Sequence, residues 1–93
     1  MSVVIVGGDR LGNIPDNLDS LGYKCNRHIT GRKCKNCKLD CDTDLVIVLT
    51  DYVGHKLCES VKEQAKNSGA RAIFCRRSWS SIYKNLEMYG LLN

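Results

Sequence analysis

The chain holds one proline, one tryptophan and one phenylalanine among 93 residues, and no apolar run longer than Leu45–Leu49. A bilayer-spanning helix needs roughly 20 consecutive apolar residues, so no membrane span is expected. Met1 to Gly8 lacks both a basic region and a long apolar segment, so no export signal is read there. With 43% hydrophobic and 26% charged residues the composition is that of a folded globular protein. At this length residues 1–93 are expected to form one domain with a modest core.

Several signatures are also missing. The stretch GGDRLG, Gly7 to Gly12, is neither G-x-G-x-x-G nor a P-loop ending in G-K-[ST], so no nucleotide fingerprint is met. No cysteine lies near a histidine and an acid in a nucleophile arrangement, and Lys38 follows Cys37 where haem attachment would need histidine. An enzyme is therefore not the first expectation. Six cysteines without an export signal read as thiols or metal ligands in a reducing cytoplasm rather than as bridges.

What is present is an alternation of strand and helix signals. Ser2 to Val6 (SVVIV) is apolar and β-branched throughout, which marks a strand buried on both faces. Asn13 is expected to cap a helix with Pro15 in its first turn, Ile14, Leu18 and Leu21 on one face, and Gly22 at its end. Tyr23 to Ile29 reads as an outer strand, Leu45 to Thr50 as a central one, and Ala70 to Cys75 as the fourth. Between the last two, a helix from Tyr52 or Val53 to Asn67 turns Leu57, Cys58, Val61 and Ala65 inward and closes at Gly69. Ser78 is the expected cap of a final helix carrying Trp79, Ile82, Tyr83 and Leu86 at helical spacing. Right-handed crossovers then favour a small open parallel sheet, order 2-1-3-4, of flavodoxin or Rossmann kind, with helices on both faces.

Such sheets bind ligands beyond the carboxyl ends of their strands. The residues there are Gly7, Gly8, Asp9 and Arg10, then His28, then Thr50, Asp51 and Tyr52, and last Arg76, Arg77 and Ser78, with His55 in the first turn of the helix after strand three. The glycines allow close backbone approach, and the two arginines precede a helix whose free N–H groups favour an anion. A small anionic ligand, a phosphate or a carboxylate, is the candidate occupant, and a phosphate- or nucleotide-binding regulator or enzyme acting at these strand ends is an alternative function.

The connection at 30–43 is a separate feature. Cys34-x2-Cys37 aims two soft ligands at one metal and Cys41 follows as a third, with Cys25 or His28 as the nearest fourth. The spacing matches half of a ferredoxin pattern, but Gly31 stands where the preceding cysteine belongs and Asp42 where the proline belongs. Zinc or an iron–sulfur cluster on Cys25, Cys34, Cys37 and Cys41 is the leading expectation. The flanking Arg32, Lys33, Lys35 and Lys38 stabilise thiolates, which suits a redox sensor equally well. Cys58 and Cys75 read as small buried hydrophobes. From Lys24 to Lys38 there is no carboxylate, and this segment carries the excess behind the net charge of +4. Only Tyr23 at its edge could stack on a base, so nucleic acid is not the expected partner. Trp79, Tyr83, Met88, Tyr89, Leu91 and Leu92 supply apolar surface for a homodimer.

Four blocks, VVIVGGDRLGNIP at the start, HITGRK at 28 to 33, LVIVLTDYVGH at 45 to 55 and CRRSWSSIYK at 75 to 84, together resemble the small bacterial family called domain of unknown function 2325. The resemblance implies a compact α/β fold and one shared site built from His28, Asp51, His55, Arg76, Arg77 and Ser78. It implies no reaction. It admits haem binding, with His28 or His55 as axial ligand, while the cysteine trio lies outside the general family pattern.

Overall fold

The structure, a computed structural model, describes residues 2–8, 11–29 and 43–90. In chain order these form β1 (Ser2–Val6), α1 (Ile14–Ser20), β2 (Lys24–Ile29), β3 (Leu45–Leu49), α2 (His55–Ser68), β4 (Arg71–Cys75) and α3 (Trp79–Met88). All neighbouring strands pair in parallel. The order is β2-β1-β3-β4, as the crossover rule requires.

Two apolar layers follow from the continuous apolar runs. Val3 and Ile5 of β1 and Leu45, Ile47 and Leu49 of β3 pack under α1 and α3, against Ile14, Leu18, Ile82 and Leu86. The alternate residues Val4, Val6, Val46 and Val48 pack on the other face against Leu57 and Val61 of α2. A strand buried on both faces has no polar alternation, which is why these two segments were legible as central.

The outer strand β2 is less regular. Cys25 pairs with Val3 but Arg27 pairs with Val4, so β2 carries one extra residue there. The bulge reverses the alternation beyond it. His28 consequently stands opposite Ile5, and Ile29 turns into the α2 layer. No glycine or proline announces this bulge in the sequence.

The helix ends obey local chemistry. After α1, Gly22 N–H donates to Asp19 O and Tyr23 N–H to Leu18 O, a Schellman closure that brings buried Tyr23 back onto Leu18. Asn13 precedes α1 as expected, but its side chain makes no cap hydrogen bond. Leu21 is 37% exposed, not on the core face, because α1 ends at Ser20. β3 stops at Leu49, and Thr50–Tyr52 form a 3-10 turn with Val53 extended behind it, so α2 starts at His55 rather than at Tyr52 or Val53.

Ser78 caps α3, its Oγ accepting from Ser81 N–H at 3.2 Å. Ser78→Ala is expected to cost about 1 kcal/mol, lowering the melting temperature of a domain this size by ~4–8 °C, which thermal unfolding by circular dichroism checks. On α3, Ile82 and Leu86 are buried while Tyr83 is exposed and meets Trp79 edge to face at 6.0 Å between ring centroids. Met88 is exposed too, but at ~100° per residue it lies on a different flank from Tyr83. These side chains do not form one stripe, and Leu91 and Leu92 lie outside the described residues.

Candidate anion site at the carboxyl edge of the sheet

The chain leaves β1 and β3 in opposite directions, α1 to one face and α2 to the other, which opens a crevice between their carboxyl ends. Gly7 and Gly8 form one wall, with φ of +101° and +76°. Gly7 is wedged: a Cβ there would lie 2.5 Å from Val53 Cγ2 and 3.0 Å from Leu49 O. Gly8 is not, since its nearest neighbours would be Leu49 Cδ1 at 3.6 Å and Arg77 Cδ at 3.7 Å, ordinary contacts.

β2 grips the first glycine twice. Gly7 N–H donates to Ile29 O at 2.7 Å, and His28 Nε2 lies 3.0 Å from Gly7 O. A carbonyl only accepts, so His28 carries its proton on Nε2. Gly8 is buried, yet its N–H has no acceptor among the described residues. A backbone N–H that no neighbouring described group takes up is a candidate donor to a ligand.

The opposite wall comes from the loop after β4. Arg77 lays its side chain against Gly8, and its N–H donates to Asp51 Oδ2 at 3.4 Å, tying the β3 and β4 ends together. Thr50 Oγ1 donates to Cys75 O at 3.4 Å in the same seam. Arg76 is exposed, and its N–H donates to Ser81 Oγ at 3.3 Å. Thr50 is among the loop residues expected at the strand ends; Ser81 is not, although the Ser78-x-x-Ser81 spacing of a cap and its third helical residue was an available signal.

A continuous path thus runs His28, Gly7, Gly8, Arg77, Asp51 across the ends of all four strands. Ser78 adjoins it as the cap of α3. The residues chemically able to meet an anion are the Gly8 N–H and the Arg77 guanidinium, while Asp51 favours a donor or cation beside it. The side chain of His55 and all of Cys34, Cys37 and Cys41 lie outside the described residues. Among the described residues no group of three or more His, Cys, Asp or Glu is placed to hold a metal ion, and none of the described helices is long and apolar enough to cross a membrane.

The described cysteines are free thiols. Cys25 is half-buried against the α1 layer, near the amino end of β2, and burial followed by the negative charge of Asp19 raises its pKa. Cys75 is buried at the end of β4, and burial followed by Asp51 pushes its thiol up to about 11. The expectation of a small hydrophobe is met at Cys75, while Cys58 is only half-buried.

The raised Cys75 pKa has a stability consequence. Between the ordinary value of 9.0 and about 11 the folded chain keeps a proton that the unfolded chain releases, so stability falls as pH rises through that window. Urea midpoints at pH values below and inside it are expected to drop less in Cys75→Ala than in the parent.

Residues 2–89 match the family described as an uncharacterized protein conserved in bacteria, domain of unknown function 2325. The chain belongs to that family. The match spans every strand and helix described above and both walls of the crevice. Comparison with curated proteins and with solved structures finds no match.

Proposed function

We propose that this family member is a non-catalytic regulatory module that binds a small oxyanion, the phosphate or carboxylate of a soluble ligand, at the carboxyl edge of its sheet. The observation that carries this reading is Gly8, a buried residue against the Arg77 side chain whose N–H has no acceptor among the described residues. A backbone donor with a guanidinium side chain beside it is the kind of donor set that phosphate and carboxylate oxygens accept from. Asp51 beside them argues for a ligand that pairs its anion with a hydroxyl or amino donor. Titration with inorganic phosphate, followed by calorimetry, tests the proposal. Saturable binding is expected, weakened about tenfold or more in Arg77→Gln, as the loss of one charge-assisted hydrogen bond implies. No binding up to ~10 mM phosphate, weaker than any useful site, would sink the reading.

A second reading keeps zinc or an iron–sulfur cluster on the cysteine-rich connection, with a different fourth ligand. His28 gives its Nε2–H to a backbone carbonyl, the support that metal-bound histidines commonly have, which leaves Nδ1 to meet a metal. Cys25, by contrast, packs against the α1 layer opposite Val3, at the far end of β2 from the connection. Elemental analysis of protein purified without air is therefore expected to find metal retained in Cys25→Ser and lost in Cys37→Ser. A Soret band in the same sample would instead favour haem.

A further inference from the structure

We propose that His28 is a positioning residue for the oxyanion site: it holds the Gly7–Gly8 peptide in the orientation that aims the Gly8 N–H at the anion. The inference rests on the anion-binding reading above and assigns a task to a residue that meets the crevice at the Gly7 carbonyl.

The geometry follows from one peptide plane. No described peptide is cis, so the Gly7 carbonyl and the Gly8 N–H point in opposite directions. His28 draws the carbonyl toward β2 at 3.0 Å. The N–H must then face away from β2, toward the β3 side of β1, where Leu49 and Arg77 are the neighbours of Gly8. With positive φ at two successive glycines this peptide has little steric reason to stay put, since glycine tolerates the flipped plane as well. Gly7 N–H to Ile29 O anchors the preceding plane, and the His28 bond sets the next one.

The bulge in β2 makes this arrangement available. Without the extra residue between Cys25 and Arg27, the side chain at 28 would take the opposite face of the strand, and Ile29 would leave the α2 layer. An irregularity at one edge of the sheet thereby orients a donor one strand away.

Inorganic sulfate, whose charge does not vary near neutral pH, is the probe, and the backbone amide spectrum of the 15N-labelled protein is the readout. In the parent, sulfate is expected to shift the Gly8 amide saturably. His28→Gln keeps a donor at the reach of Nε2 and is expected to bind within about threefold of the parent. His28→Leu, with no donor, is expected to bind about tenfold more weakly, the loss of one aligned hydrogen bond, with the dispersed spectrum of a folded chain. Equal affinity in folded His28→Leu overturns the inference and leaves the anion site standing. No sulfate binding by the parent, or binding that leaves Gly8 unmoved, overturns both. If His28→Leu does not fold, the parent still decides: its histidine 15N shifts must report the Nε2–H tautomer, and an unprotonated Nε2 overturns the inference because it cannot donate to Gly7 O.

Discussion

Gly7→Ala is expected to lower folding stability by about 3 kcal/mol or more, with a correspondingly lower urea midpoint and an unchanged m-value. Two costs add. An alanine held at φ of +101° lies outside the region L residues favour, a penalty of about 1–2 kcal/mol. Its methyl would also stand 2.5 Å from Val53 Cγ2 and 3.0 Å from Leu49 O, and forcing an atom into a packed place costs about 1–3 kcal/mol. Leu49 is backbone of a central strand and cannot retreat, so the strain falls on the strand end and on Val53 ahead of α2. A domain of this size has a total stability of ~5–10 kcal/mol, so this single methyl removes a large share of it. A midpoint shift of less than a third of that expected would mean that the Gly7 backbone is not held as described.

Gly8→Ala separates function from fold, and its largest effect is expected on binding. Its methyl meets nothing closer than 3.6 Å, so only the cost of φ at +76° remains, and the protein should stay folded with a loss of about 1–2 kcal/mol. The same methyl occupies the space between the Gly8 backbone and the Arg77 side chain, where an anion would have to approach both donors. Phosphate affinity is expected to fall by more than tenfold, since both charge-assisted contacts lengthen together. Calorimetric titration checks this, and undiminished binding would place the ligand elsewhere.

Much of the fold was legible in the sequence because the signals were redundant. SVVIV and LVIVL are apolar at every position, which only a strand buried on both faces explains, and the helices carry Ile14 and Leu18, Leu57 and Val61, or Ile82 and Leu86 at a turn's spacing. Less legible were the places where one residue changes phase. The sequence reading treated Cys25 and His28 as equivalent neighbours at the end of strand two. The bulge between Cys25 and Arg27 instead leaves Cys25 packed under α1 near the amino end, with a raised pKa, and brings His28 to Gly7 at the carboxyl end. Helix α2 was expected two or three residues early because its outward residues continue the pattern, whereas Thr50–Tyr52 close a 3-10 turn first.

The candidate site divides the same way. Position along the chain was enough to nominate Gly7, Gly8, Arg76, Arg77, Ser78, Asp51 and His28, since ligands gather at strand ends in parallel sheets. Nothing in the chain order distinguishes a wedged glycine from an open one, or an arginine lying on Gly8 from an exposed one beside it. By itself, then, the sequence determined the sheet and its strand order, because hydrophobic periodicity and crossover handedness are properties of short segments. Only the tertiary structure decided which backbone donor of the crevice has no acceptor among the described residues and which histidine nitrogen meets the Gly7 carbonyl, because a hydrogen bond between residues 7 and 28 exists only once two strands have paired in a particular register.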